Sequence, residues 1–195
     1  MIYLVRHGQT AFNAEGRLQG HVDSPLTALG EQQARRAGAT LARLVGEAAG
    51  WRIVSSPLGR ARATAEAVRQ ALGAAEVEID ARLIELSWGE WDGALRADLK
   101  ARNPDAFGDS GWSFRSPTGE PYEAVQARMA DWLSSLPPEP ERRIIAVSHG
   151  VAGRVLRGVY AGLSREAAVE QPVPQDAVYR LSGGTLERID CVAAD

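Results

Sequence analysis

One cysteine, one lysine and three histidines are all that the 195 residues contain of those types. With Cys191 alone, neither an intrachain disulfide nor a cysteine-rich zinc site can form, which fits a reducing compartment. The histidines, His7, His21 and His149, are widely separated, so no close-spaced ligand pair of the usual zinc type exists. No apolar run approaches the length of a membrane span, and the chain opens on strand-like residues rather than a charged and then apolar leader. A cytoplasmic protein is expected, with no membrane partner. A basic excess is missing too: 22 Lys and Arg stand against 25 Asp and Glu, for a net charge of −3. That argues against a general nucleic-acid binder, which needs a basic field. Lys100 is the only lysine, a bias that base composition explains, so each arginine must be argued from its position. Repeats, linkers and low-complexity tracts are absent, and the length suits one domain spanning 1–195.

What is present begins at the first strand. Ile2 to Val5 is an apolar run that stops on Arg6, His7 and Gly8, as a buried strand does when it delivers polar groups to its carboxyl end. In a continuing strand Arg6 and His7 would face opposite ways, so both reach one site only if the strand ends there. Gly8 would allow the turn and a close approach of ligand to backbone. A neutral imidazole beside a guanidinium suits nucleophilic attack on phosphate, although the pair alone also fits a solvated strand end.

Residues 11–26 read as an irregular loop over the site. Thr27 reads as the N-cap of a helix to about Gly46, and Trp51 to Ser55 as a strand. Ser56-Pro57 reads as an N-cap and first-turn proline opening a helix through about Leu72. Val77 to Asp80 is a further strand. The segment 86–120 is irregular and rich in aromatic residues, with a short helix at about 94–102. Pro121 to Leu136 is amphipathic, and Arg143 to Val147 is a buried strand ending on Ser148, His149 and Gly150. A helix follows from Val151 to about Tyr160, and 177–191 reads as a hairpin around Gly183-Gly184. This order predicts βαβ units in an α/β fold, a three-layer α/β/α sandwich with a mostly parallel central sheet. Ligands of such sheets lie beyond the carboxyl ends of the strands, so Arg6-His7-Gly8, Ser55 to Arg60 and Ser148-His149-Gly150 should converge.

The ordered set resembles the histidine phosphatase superfamily, in its phosphoglycerate mutase-like branch, over essentially the whole chain. Arg6, His7 and Gly8 match the family's opening motif, followed by Asn13, Gln19-Gly20 and Ser24-Pro25-Leu26-Thr27. Ser56 to Ala61 with Thr64-Ala65, Glu85 before Gly89, Trp91 and Gly93, and Ser148-His149-Gly150 match the later motifs. The resemblance implies a phosphoglycerate mutase-like fold and a two-step transfer through a phosphohistidine, without cofactor or metal. His7 would be the nucleophile. Arg6, Arg60 and His149 would surround the phosphoryl oxygens. Glu85 would protonate the leaving alcohol and then take a proton from water, which beside arginines calls for a water-excluding neighbour such as Trp88. Asn13, Gln19, Gly20 and the Gly150 amide would bind the substrate phosphate.

His21 reads as a loop or surface residue and Arg62 as solvated. Two positions depart from the family pattern. Gln9 replaces a usual glutamate, and Pro121 stands where many members have serine, which puts the start of the following helix and the pocket wall in question. Trp88, Trp112 and Phe114 suit either a pocket wall or core. The leading expectation is a metal-independent phosphomonoesterase acting on a small phosphorylated metabolite. Mutase-type transfer, a His7/His149/Glu85 metallohydrolase and a silent phospholigand-binding module are its rivals. Only about thirty irregular residues separate Trp88 from Gly119-Glu120, fewer than mutases of this kind usually carry, which favours hydrolysis.

Overall fold

The computed structural model describes residues 1–74 and 76–192. Its central sheet has the order β3-β2-β4-β1-β5-β6, built from Ile2–Arg6 (β1), Arg52–Ser55 (β2), Val77–Ile79 (β3), Ile144–Ser148 (β4), Ala177–Ser182 (β5) and Thr185–Asp190 (β6). The first four strands run parallel, while β5 and β6 form the antiparallel hairpin at one edge.

Alternation along β1 makes the layers. Ile2 and Leu4 enter one core with Val54, Ile144 and Ala146. That core is covered by α5 (Tyr122–Ser134) and α6 (Gly150–Ala161) through Val125, Met129, Trp132, Val155 and Leu156. Tyr3 and Val5 enter the other core with Ile53, Ile145 and Val147. There α2 (Ala28–Val45) and α3 (Gly59–Leu72) cover the sheet through Ala37, Leu41, Ala61, Ala65 and Val68. The result is the expected three-layer α/β/α sandwich. Both faces of β1 and β4 are buried, which is why their sequences are unbroken apolar runs rather than alternating ones.

Register then brings the polar strand ends together. Arg6 pairs with Ser148 across β1 and β4, and Ser55 pairs with Val147 across β2 and β4. The three parallel strands therefore finish side by side.

Local readings needed correction in three places. Within 11–26 a short helix, α1 (Ala11–Glu15), forms because Thr10 Oγ1 accepts from the Asn13 amide while Asn13 Oδ1 accepts from the Thr10 amide. It has too few apolar residues to show a period. Ser56-Pro57 does not cap α3: that helix starts two residues later, after Leu58, with no side-chain cap. Ser56 turns its hydroxyl elsewhere. A helix absent from the sequence reading, α7 (Arg165–Glu170), packs beside α6 and is capped by Ser164. The remaining irregular segment, 86–120, contains α4 (Arg96–Arg102) and several single-turn 3₁₀ helices.

Gly8 is needed for a reason other than the expected one. A Cβ on it would lie 2.1 Å from the Gly30 carbonyl oxygen, and one on Gly30 would lie 1.9 Å from the Gln9 carbonyl oxygen. The two glycines let the turn after β1 lie directly on the first turn of α2. Backbone packing, not ligand approach, occupies the space at Gly8.

Candidate active site

A cavity of about 330 Å³ opens over the carboxyl ends of β1, β2 and β4. Its wall includes Arg6, His7, Asn13, Gln19, Gly20, Arg60, Glu85 and Gly150, eight of the nine positions singled out from sequence. The ninth, His149, is buried with its ring centroid 5.1 Å from that of His7. A larger depression of about 640 Å³ lies between α2 and α3, but it shares only Arg60 with this cluster.

His7 and Arg6 reach the cavity from opposite faces of the sheet. Arg6 ends β1 against Gly150 of α6, where its Nε is 3.5 Å from the position of a Gly150 Cβ, and it donates to the Val173 carbonyl. His7 is one step past the strand and lies toward α3. The cavity sits over the sheet's end, so no common face is required.

The His7 ring is fixed at both nitrogens. Nδ1 is 2.8 Å from the Gly8 carbonyl oxygen, which can only accept, so Nδ1 carries the proton. Nε2 accepts from the Nε–H of Arg60 at 3.3 Å. Burial first, and then the charges of Arg6 and Arg60, hold His7 well below the ordinary imidazole range. The ring is neutral at neutral pH, with its Nε2 lone pair directed at the cavity wall. His149 is likewise driven well below the ordinary range, by burial and then by His7 and the arginines. Its Nε2 lies 2.7 Å from Ser56 Oγ, while its buried Nδ1 has no protein partner. Nδ1 and the equally unpartnered Nε of Arg6 are the kind of buried polar atoms that an anion would satisfy. Burial brings Arg6 down to about 10, which leaves it cationic at neutral pH.

Arg60 is held from several sides. Nη1 donates to the Val22 carbonyl and to Asp23 Oδ1, both at 3.0 Å, and Nη2 donates to the Gly20 carbonyl at 2.7 Å. Asp23 also accepts from the Gly59 amide, which ties the 20–23 loop to the start of α3. Glu85 faces the cavity with its carboxylate on the N-terminus of α6, accepting from Val151 N at 3.2 Å, Ala152 N at 2.8 Å and Leu86 N at 2.9 Å. Negative charge is favoured at such a terminus. Trp88, 5% exposed, lines the same cavity as Glu85.

The smaller polar residues divide into two groups. Asn13 Oδ1 is taken by the Thr10 amide and by Gln175 Nε2, leaving its own amino group as a donor to the cavity. Gln19, expected to contact phosphate, instead accepts from Thr10 Oγ1 at 2.7 Å and donates to Ser24 Oγ at 2.8 Å. It braces the loop. Gly20 has φ of 36°, and a Cβ there would collide with Asp92 and Trp88. Its carbonyl orients Arg60.

His21 is exposed, with Nε2 3.0 Å from the Glu85 carbonyl oxygen, and Arg62 is exposed. Trp88 and Trp112 stack 5.1 Å apart on the cavity wall, whereas Phe114 lies outside the lining and packs edge-on against Tyr122. Gln9 takes the Thr27 hydroxyl on its Oε1 at 2.9 Å. Pro121 does not reach the cavity, and α5 is tied down by the Glu120–Arg128 pair at 2.9 Å. Among the described residues, no group of three His, Cys, Asp or Glu side chains is arranged to hold a metal ion.

Sequence reasoning missed Asp23, Ser56, Arg154 and Gln175. Arg154 had a usable signal, four residues after Gly150 on one helix face. Gln175 had none: it donates to the His7 carbonyl from the far end of the chain.

The model of the histidine phosphatase superfamily (branch 1) matches residues 2–186. The chain belongs to that superfamily. Its members are enzymes. A curated relative, the probable phosphoglycerate mutase GpmB of Escherichia coli O1:K1, is 34% identical over 221 residues, covering 100% of this chain and 97% of that protein. Bacillus stearothermophilus YhfR, a solved structure, superposes with a TM-score of 0.79 at 29% identity, over 97% of this chain and 95% of its own. A mycobacterial glucosyl-3-phosphoglycerate phosphatase, solved with VO3, gives 0.74 at 27% identity, over 92% and 90%. The relatives and neighbours of this chain thus include both mutase and phosphatase names. No helix among the described residues is long and apolar enough to cross a membrane.

Proposed function

We propose that the protein is a metal-independent phosphomonoesterase that hydrolyses a small phosphorylated metabolite through a phosphohistidine on His7 Nε2. The observation that carries this reading is the fixed tautomer of His7. Its proton is held on Nδ1 by the Gly8 carbonyl, so Nε2 carries the lone pair, which rests on the Nε–H of Arg60 and must be released to the phosphoryl group.

In the first step Nε2 attacks phosphorus in line, the N–P bond forms, and the P–O bond to the alcohol breaks. Arg6, Arg60 and His149 hold the charge on the phosphoryl oxygens, with Asn13 and the Gly150 amide adding donors. Glu85 takes up a proton as the anionic ester enters and gives it to the departing alkoxide. In the second step water attacks phosphorus and passes a proton to Glu85. The N–P bond breaks, returning neutral His7 and releasing phosphate. Gln19 and Gly20 act one layer back, on the loop and on Arg60.

Phosphoryl transfer to a second hydroxyl, as in a mutase, uses the same first step, and the name of the GpmB relative favours it. The compact 86–120 segment and the phosphatase neighbour favour water as acceptor. The test is phosphate release from a panel of phosphomonoesters, including 3-phosphoglycerate, with excess chelator. Chelator-resistant release that His7→Ala abolishes supports the hydrolase. Interconversion of phosphoglycerates without release would replace it with the mutase.

A further inference from the structure

Between α7 and β5 the chain runs past the cavity as Gln171-Pro172-Val173-Pro174-Gln175, with Val173 in the cavity wall. Its two prolines have no amide to donate, and among the described residues none of its backbone groups pairs with another backbone group. Arginine side chains hold it instead. Arg154 Nε donates to the Gln171 carbonyl at 2.6 Å, Arg157 Nη2 donates to the Pro172 carbonyl at 2.7 Å, and Arg6 donates to the Val173 carbonyl. Arg154 and Arg157 are neighbours on one face of α6, so a packed helix fixes two of these three successive carbonyls.

The segment therefore presents Gln175 from a fixed base. Gln175 Nε2 lies 3.1 Å from the His7 carbonyl oxygen and 3.2 Å from Asn13 Oδ1. A backbone carbonyl only accepts, so the atom facing it is the amide nitrogen, whose two hydrogens serve the two oxygens. On one side, the peptide after the nucleophile is held at both edges, its carbonyl by Gln175 and its N–H, on Gly8, by Thr64 Oγ1 at 3.1 Å. On the other side, Asn13 Oδ1 accepts from both Gln175 and the Thr10 amide, so the Asn13 amide cannot turn over without losing two bonds. Its amino group stays available to the phosphate.

We propose that Gln175 is a positioning residue, a bridge that fastens Asn13 to the backbone of His7 and so fixes the phosphate donor relative to the attacking nitrogen. Gln175 itself lies outside the cavity wall. This inference rests on the reading of His7 as the nucleophile.

Gln175→Met keeps the reach of the side chain and removes its donors. It should lower kcat/KM for a phosphomonoester about tenfold, as expected when reacting groups lose their alignment. Orthovanadate, which mimics five-coordinate phosphorus, should bind about tenfold more weakly by calorimetry, while inorganic phosphate changes about twofold or less. In an Asn13→Ala background the same substitution should cost only about twofold, because the bridge has already lost one end. Gln175→Glu, which keeps reach and polarity but cannot donate when ionised, should lose at least as much as the methionine variant. Unchanged vanadate affinity in both Gln175 variants, equal weakening of vanadate and phosphate, or equal losses with and without Asn13 would overturn the bridge. Phosphate release by the wild-type protein is scored separately. Release that Gln175→Met leaves untouched defeats the bridge alone, and the expected vanadate pattern without release defeats the hydrolase alone.

Discussion

The Nε–H of Arg60 meets His7 Nε2 across 3.3 Å, so the arginine and the imidazole face each other as donor and acceptor. A protonated His7 would turn that contact into a clash of two cations in a buried place. The arrangement keeps the ring in its nucleophilic form, and it makes the posture of Arg60 part of the chemistry.

Asp23 sets that posture. It pairs with Nη1 of Arg60 at 3.0 Å and ties the same loop to the first turn of α3. Asp23→Asn should lower kcat/KM about tenfold and Asp23→Ala about a hundredfold, the scale expected when a positioning group for transition-state charge is loosened. Steady-state kinetics with one phosphomonoester checks this. Unchanged kcat in the alanine variant would show that Arg60 is held well enough without it.

Stability should fall on acidification. His7 and His149 are neutral in the folded protein, held well below the ordinary imidazole value of about 6.5. Above that pH neither state binds the protons, and the two groups contribute no pH dependence. As the pH falls below about 6.5 the unfolded chain takes up two protons that the native protein refuses, so the slope favours unfolding. Each imidazole contributes on the order of 1.4 kcal/mol per pH unit until its native value is reached. Denaturant midpoints between pH 7.5 and 5 measure the slope, and His149→Gln should remove about half of the histidine part.

The glycine pair under the nucleophile turn should be intolerant. Gly30→Ala places a Cβ against the Gln9 backbone, where nothing flexible can give, and should cost about 3 kcal/mol or more. Gly16→Ala meets nothing within 4 Å and suffers only its φ of 73°, at about 1 kcal/mol. Chemical denaturation of the two variants compares them.

The aromatic residues should separate by function. Trp112→Ala removes a cavity wall and the platform of Arg96, and should raise KM about tenfold as well as costing about 2 kcal/mol or more through its lost stacking on Trp88 and Phe107. Phe114→Ala should leave KM alone and cost about 2 kcal/mol or more through its lost packing on Tyr122. Kinetics and melting curves on both variants form one experiment.

Much of this molecule can be read before folding because both-sided burial writes itself as apolar runs, and the runs of β1 and β4 each stop at a polar triplet. Parallel pairing in register then places those triplets together. What escaped depends on contacts remote in sequence or on few residues. Ser56 looks like a helix cap, yet its hydroxyl serves His149, 93 residues away. The start of α1 rests on one reciprocal pair, Thr10 and Asn13. Arg17 and Arg96 reach one cavity wall only because the 16–17 and 95–96 backbones pair. Gln19 has the chemistry of a phosphate ligand, and only its neighbours Thr10 and Ser24 reveal that its amide is occupied.

The most direct measurement is a single-turnover reaction quenched in alkali, where phosphohistidine survives, followed by tandem mass spectrometry of the peptide containing His7. The account predicts a transient phosphoryl group on Nε2 of His7, formed and lost at rates compatible with turnover. Turnover with no phosphoryl group on His7, or with the group on His149 instead, would contradict it.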